Sequence, residues 1–277
     1  MNTPSISAFS PTTPVAFIGG GNMASAIVGG LLRQGHAPDQ IEVVEPWLPA
    51  REALQRQHGL RAHEAPGPFL ARARIVLWAV KPQMFEAAIA PTLAHWRDPL
   101  HLSVAAGIRS DRLAAWLGSE RIVRAMPNTP ALVGKGMTAL YARCAVSEVE
   151  RASAQAVMAS TGDCLWVEAE DQLDAVTALS GSGPAYIFYF LEAMTQAGTA
   201  MGLSAEQAHQ LAVGTFVGAS ELARHSAEPP ATLRARVTSE GGTTHAALQS
   251  LAQDGVADKF TRAMLAARQR AHELGQG

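Results

Sequence analysis

Two stretches of this chain gather residue types that can do chemistry, and each runs into the start of a predicted helix. The first is Gly19-Gly20-Gly21-Asn22-Met23-Ala24, which has the spacing G-x-G-x-x-A. It follows four uncharged apolar residues, Val15 to Ile18. It precedes a segment from Asn22 to Gln34 whose apolar residues fit a helix, with Gly35 just past its end. In a strand–turn–helix setting such a motif holds a dinucleotide. Gly19 permits the tight turn, Gly21 lets a pyrophosphate approach the backbone, and the small Ala24 lets helix and strand pack closely. The free N–H groups and the positive end of the helix dipole then face the phosphates. The second stretch is Thr238-Ser239-Glu240-Gly241-Gly242-Thr243-Thr244, ahead of a helix beginning near His245. Four hydroxyls stand around two glycines at a helix N-terminus, a ready site for a small carboxylate. A simple helix cap would need one hydroxyl, not four.

The elements that must position these residues follow from the hydrophobic pattern. Strands are expected at Val15–Ile18, Ile41–Glu45, around Leu60–His63, at Ile75–Val80, Leu100–Val104 and Arg121–Ala125. Helices are expected between them at Pro49–His58, Pro82–Ala90 and Asp111–Leu117. Met137–Tyr141 and Cys164–Val167, around a helix at Ser147–Ser160, extend the sheet. The fold class is α/β: an N-terminal Rossmann-type doubly wound parallel sheet followed by an all-helical domain. Three further loops lie at carboxyl ends of strands, where ligands bind in such sheets: Ala79-Val80-Lys81-Pro82, Ala105-Ala106-Gly107, and Met126 to Pro130 with Asn128 at its centre. Lys81 can place a cation there, and the Asn128 amide offers both a donor and an acceptor. Glu45, closing its strand, stands where a carboxylate accepts from the adenosine ribose hydroxyls, which favours NADH. Arg51 is close enough in sequence to turn toward the same ribose.

After Asp171 no strand is evident. Helices are expected at Pro184–Met201, Ser204–Arg224, Pro230–Val237, His245–Ala252 and Val256–Leu274, the second opened by a capping box from Ser204 to Gln207. Ser180-Gly181-Ser182-Gly183-Pro184 reads as a glycine-rich turn opening the first of them. That helix carries a single charge, Glu192, so it must be covered all round. Interlocking with a second copy would cover it, which makes a homodimer the expected smallest active unit. The domains are then a flexible tail over 1–13, a dinucleotide-binding domain over 14–170, and a helical substrate-binding and dimerisation domain over 171–277.

Composition narrows the class further. The net charge of −2 argues against a nucleic-acid partner, which would need a basic face. Charged residues make up 17% of the chain and hydrophobic ones 48%, which points to much buried surface, subunit contacts included. No apolar run approaches a membrane span, and the first thirteen residues lack the form of a signal peptide. Cys144 and Cys164 share no metal-ligand spacing, so no metal is expected. Free thiols in a reducing cytoplasm are the expected state.

Five motifs together carry a resemblance: FIGGGNMA (Phe17 to Ala24), AVKPQ (Ala79 to Gln83), MPNTP (Met126 to Pro130), SGSGPAY (Ser180 to Tyr186) and VTSEGGTTHAAL (Val237 to Leu248). From Val15 almost to the C-terminus the chain resembles the pyrroline-5-carboxylate reductases, which catalyse the last step of proline synthesis. The last motif is the most specific to that family. Ala252 departs from it, at a position where a polar residue is usual, and is read as a surface change. The resemblance implies reduction of the cyclic imine 1-pyrroline-5-carboxylate by NADPH or NADH, a homodimer, and allows rings of dimers. By that likeness Ser239 and Thr244 lie at the substrate, with Thr244 near the imine nitrogen, and the backbone from Glu240 through Gly241, Gly242 and Thr243 holds the carboxylate. The loops at Gly19, Ala79, Ala105 and Met126 hold the cofactor. The family leans to NADPH while Glu45 favours NADH, so both are expected to serve, with NADH unusually competent.

Two other readings fit parts of the chain. A β-hydroxyacid dehydrogenase shares the layout but needs a catalytic lysine on a helical segment. The only lysines here are Lys81, Lys135 and Lys259, none near Ser180 or Thr244 in sequence. A nucleotide sensor would keep the turn at Gly19 but has no use for the one at Thr238.

Overall fold

The computed structural model describes residues 9–276. They divide into two compact units, one running to Ser182 and taking in the chain from Ala267, the other spanning Gly183–Ala266.

The first unit alternates strands and helices. In order they are β1 (Val15–Ile18), α1 (Asn22–Arg33), β2 (Ile41–Val44), α2 (Leu48–His58), β3 (Ile75–Trp78), α3 (Phe85–Ile89), β4 (Leu100–Ser103), α4 (Ser110–Leu117), β5 (Ile122–Met126), β6 (Gly136–Ala142), α5 (Glu148–Ala159), β7 (Gly162–Trp166) and α6 (Gln172–Val176). The strands make one seven-stranded sheet in the order β2-β1-β3-β4-β5-β6-β7. Every neighbouring pair is parallel except β5–β6. That exception follows from the connection: residues 127–135 are fewer than the dozen or so a parallel return needs. Ile18 pairs with both Val44 and Trp78, so the carboxyl ends of β1, β2 and β3 lie level. Because β2 lies on one side of β1 and β3 on the other, the winding reverses there and a crevice opens.

Alternate strand residues serve opposite faces. Val15, Phe17, Val43, Leu77 and Leu102 join Ile27 and Leu31 of α1 and Val157 and Met158 of α5 in one core cluster. Ala16, Ile18, Val76 and Trp78 join Phe85, Ile89, Leu113 and Leu117 of α3 and α4 in the other. Burial on both faces is why these strands read as unbroken apolar runs. At the far edge a capping box starts α5, with Ser147 accepting from the Glu150 N–H while the Glu150 carboxylate accepts from the Ser147 N–H.

Some elements differ from expectation. Residues 60–63 form no strand, only a bridge between His63 and Val44. β3 stops at Trp78, two residues early, ahead of Lys81-Pro82. The helix expected over Pro82–Ala90 is broken into a 3-10 turn at Pro82–Met84, the short α3, and a 3-10 stretch at Ala90–His95. Pro91 supplies no N–H and splits the run. Of the tail expected over 1–13, residues 1–8 lie outside the described residues. Phe9 packs on the core beside His36, and the Thr13 N–H closes a turn on the Ser10 carbonyl at 2.9 Å.

The glycine-rich turn expected at Ser180–Pro184 is helical. Residues Thr177–Gly181 form a π-helical stretch, in which the Ser182 N–H reaches back to the Thr177 carbonyl at 2.8 Å. Gly181 is there for space: a Cβ on it would lie 2.5 Å from Met126 Cε.

The second unit is all helix: α7 (Gly183–Ala200), α8 (Ala205–His225), α9 (Pro230–Arg236), α10 (Thr243–Gln253) and the start of α11 (Val256–Gln276). α7 and α8 pack closely where a Cβ on Gly198 would come within 2.7 Å of Ala208 Cβ. The expected capping box at Ser204 and Gln207 is present. Within this unit only Gly198, Ala208 and Ala212 are buried. Among the described residues no helix is long and apolar enough to cross a membrane.

Candidate functional site

The level ends of β1, β2 and β3 open into a cavity of about 910 Å³. Gly19, Gly20, Gly21, Asn22, Glu45, Ala79, Val80 and Lys81 line it. Each glycine has its own reason. Gly19 has φ +99°, and a Cβ on it would meet the Ala79 carbonyl oxygen at 2.6 Å. A Cβ on Gly20 would lie 2.8 Å from Leu54 Cδ1 of α2, a demand the G-x-G-x-x-A pattern does not contain. Over Gly21 a Cβ would meet nothing within 4 Å, so the space there is open to a ligand. Gly21 is also the N-cap of α1, and no side chain caps that helix. A first helical turn left without a side-chain acceptor, beneath open space, fits a pyrophosphate.

Glu45 is held firmly. Its Oε2 accepts from the Gly20 N–H at 2.7 Å and its Oε1 from the Trp47 N–H at 2.8 Å, so the carboxylate ties the end of β2 to the glycine turn. Arg51, close enough in sequence to turn toward the same ribose, turns onto its own loop. Its Nη1 donates to the carbonyls of Glu45 and Pro46 at 2.9 and 2.6 Å, and its Nη2 lies 3.3 Å from Glu64 Oε2.

Other expected site residues stand apart from this lining. Met23 and Ala24 belong to the first turn of α1, and Ala24 is wholly buried in the core. Pro82 begins a 3-10 turn beyond Lys81. Ala105, Ala106 and Gly107 follow β4 at its carboxyl end. Ala105 is buried, and a Cβ on Gly107 (φ +74°) would lie 3.2 Å from Leu274 Cβ. Asn128 spends its amide on the protein: Oδ1 accepts from the Met137 N–H at 2.9 Å and Nδ2 donates to the Ser180 carbonyl at 3.1 Å. It thus clasps the MPNTP loop to the π-helical stretch.

Sequence reasoning missed several lining residues, among them Ser25, Trp47, Gln57 and Met84. Ser25 Oγ lies 2.8 Å from His58 Nε2 and 3.0 Å from Gln57 Oε1. Burial and the Arg33 charge hold the His58 pKa below its ordinary value. A signal for Trp47 was available: an aromatic two residues beyond a strand end that already carried a candidate. Among the described residues no three His, Cys, Asp or Glu side chains gather so as to hold a metal ion.

In the second unit the turn before α10 has a similar construction. Gly241 has φ +72°, Gly242 is the N-cap, and no side chain caps the helix. The Gly241 N–H donates to His245 Nδ1 at 3.1 Å, and the Thr238 hydroxyl donates to the Arg234 carbonyl at 2.7 Å. Ser239 Oγ sits over Gly242, where an added Cβ would come within 2.6 Å of it. Thr243 and Thr244 occupy the first two helical positions, so Thr244 is not the cap.

A seven-stranded, mostly parallel sheet with an uncapped glycine turn and a cavity at its switch point defines the class of Rossmann-type dinucleotide-binding proteins. Residues 14–107 match the family model described as NADP oxidoreductase coenzyme F420-dependent, and residues 170–274 match the model for pyrroline-5-carboxylate reductase dimerisation. Pyrroline-5-carboxylate reductase of Pseudomonas aeruginosa is 43% identical over 269 residues, 96% of this chain and 98% of that one. The solved structure of the Coxiella burnetii pyrroline-5-carboxylate reductase is 36% identical, with TM-score 0.86 over 95% of this chain and 98% of that one. The Plasmodium falciparum pyrroline carboxylate reductase, solved with NADP bound, is 26% identical with TM-score 0.85 over 96% and 99% of the two chains. The chain belongs to the pyrroline-5-carboxylate reductase family.

Proposed function

We propose that this chain reduces 1-pyrroline-5-carboxylate to L-proline with NADPH or NADH, as a homodimer in the cytoplasm, with no nucleic-acid or membrane partner. The observation that carries the reading is the uncapped start of α1 beneath the open space at Gly21, set where three strand ends meet. Gly19 to Ala24 bind the pyrophosphate through backbone N–H groups. Glu45, Ala79, Val80, Lys81, Pro82, Ala105, Ala106, Gly107 and Asn128 shape or support the rest of the cofactor site, Asn128 by holding its loop. When bound, the nicotinamide supplies the hydride that the imine carbon accepts. The chain's own part is then chiefly placement, since a small iminium needs orientation more than a strong acid. The backbone from Glu240 through Gly241, Gly242 and Thr243 holds the substrate carboxylate, Ser239 lies at the substrate, and Thr244 hydrogen-bonds the imine nitrogen.

The dinucleotide-binding role falls to residues 14–170, and substrate binding and dimerisation to 171–277. The sparse core of the second unit supports pairing with a second copy, from which rings of dimers can be built. The test is direct: mix the protein with 1-pyrroline-5-carboxylate and follow NAD(P)H absorbance. Cofactor oxidation dependent on the imine is expected. None above background, with folded protein, overturns the reading.

A further inference from the structure

Next to the cavity, at the end of β2, stands an arginine that is already occupied. Arg51 stands in the early turns of α2 with most of its side chain buried. Both N–H groups of Nη1 are engaged by the carbonyls of Glu45 and Pro46, at 2.9 and 2.6 Å. Nη2 is paired with Glu64 at 3.3 Å. A phosphate is best recognised by two parallel N–H groups of one guanidinium. Here one edge is closed by carbonyls, and the remaining Nη2 is shared with a carboxylate that itself lines the cavity.

The charge around it points the same way. Glu45 and Glu64 both line the cavity at the end of β2, where Arg51 pairs with Glu64, and Lys81 lines it from the loop after β3. A ribose phosphate arriving beside Glu45 and Glu64 brings close to two negative charges and meets two carboxylates whose neighbouring guanidinium is already engaged. A free hydroxyl meets something better. Glu45 is fixed by the Gly20 and Trp47 N–H groups, and each of its oxygens can still accept a second bond. We infer that Glu64, by occupying Arg51, denies the cofactor's 2′-phosphate its cation and sets this chain toward NADH. This rests on the reading of the cavity as the nicotinamide cofactor site.

Binding separates the two claims without use of turnover. Calorimetric titration of the full-length protein, with no imine present, should give NADH a Kd about tenfold below that of NADPH, as expected where a charge-assisted phosphate contact is missing. Glu64→Gln, at a side chain 76% exposed, keeps the shape and removes the charge. It should tighten NADPH about fivefold, leave NADH within about twofold, and tighten 2′,5′-ADP more than 5′-ADP. Adding Arg51→Met to Glu64→Gln should abolish that gain. Wild-type protein that binds NADPH more tightly than NADH overturns the inference and leaves the cofactor reading standing. So does a Glu64→Gln variant with an unchanged ratio, or a gain that survives the loss of Arg51. Failure of either dinucleotide to bind overturns the cofactor reading itself.

Discussion

β3 reads Ile-Val-Leu-Trp, and all four side chains are buried. In α7 the run Ile187-Phe188-Tyr189 is just as apolar, yet these three side chains are 43%, 59% and 68% exposed. The first unit closes two cores around its sheet from its own helices. The second spreads Leu211, Val217, Leu222, Leu251 and Leu265 over its surface and buries only Gly198, Ala208 and Ala212. A helix apolar on nearly every side needs cover from elsewhere. The lesson is that composition alone does not say where the cover comes from. The first unit carries its own stability, whereas the second should borrow it from a second copy.

The sharpest test sets the first unit's core against protein concentration. Leu77 is fully buried in the middle of β3. Leu77→Ala should destabilise that unit by about 2–5 kcal/mol, the range for large-to-small changes in closed cores. Melting at several protein concentrations should show the same drop at each. A loss that shrinks as concentration rises would mean that this core also depends on a partner.

A closed core can also hide a titratable ring. His101 on β4 is buried, and its Nδ1 accepts from Trp78 Nε1 at 3.2 Å. Burial pushes its pKa down from 6.5 to about 4, with Asp98 opposing and Arg121 adding to the shift. The folded value lies below the unfolded one, so the unfolded chain takes up the proton first as pH falls. The neutral ring's contribution is complete above about pH 6.5, is lost as pH falls toward 4, and changes no further below that. The total loss is on the order of 3 kcal/mol. Denaturant titrations at pH 7.5 and 4.5 should show this decline, and His101→Leu should flatten much of it. An equal slope in the variant would assign the acid sensitivity to other groups.

In the second unit the expectation reverses. A substitution at a leucine exposed on a monomer should stay within about 0.5 kcal/mol. If a second copy covers Leu211, which is 59% exposed in the single chain, Leu211→Asp should weaken association by about 2 kcal/mol, or roughly thirtyfold in the dimer Kd. Analytical ultracentrifugation reads this directly. A variant that associates normally would place Leu211 outside the interface.

What could be read from the residues follows the same division. The β1–turn–α1 unit was legible because its demands are local: spacing, apolarity and a helix start lie within twenty or so residues of one another. Glu45 was legible as a site residue, but its bonds to Gly20 and Trp47 were not, since they depend on how β2 is set beside β1. Ser180-Gly181 read as a turn because glycine and serine usually make turns. Only the approach of Met126, far away in sequence, shows why a helical position there must be glycine. Asn128 stands out in the sequence for its donor and acceptor, and the structure uses both on the backbone of other elements. The antiparallel β6 follows from the length of the loop before it, a signal present in the sequence. The helices of the second unit were legible from periodicity and capping residues, because those too are local.

The smallest expected effect on stability belongs to Thr244, and its contrast with Ser204 makes it informative. Both are hydroxyl residues at helix starts of the second unit. Ser204 is a true cap: its Oγ accepts from the Gln207 N–H at 3.1 Å, and Gln207 Oε1 accepts from the Ser204 N–H at 3.0 Å. Thr244 lies inside α10, whose cap is Gly242 and which has no side-chain cap bond to lose. Ser204→Ala should therefore lower stability by about 1 kcal/mol and leave kcat/KM unchanged. Thr244→Val, which keeps the shape and removes the hydroxyl, should alter stability by less than about 0.5 kcal/mol. It should nonetheless lower kcat/KM tenfold or more, the equivalent of losing a hydrogen bond of about 1.5–3 kcal/mol to a charged group. The Kd for cofactor alone should not move, because Thr244 is assigned to the imine. A lowered Tm with normal kcat/KM would make Thr244 a second structural hydroxyl like Ser204. Weaker cofactor binding with an unaltered KM for the imine would assign it to the cofactor instead, and the substrate role of the whole Thr238–Thr244 turn would fall with it.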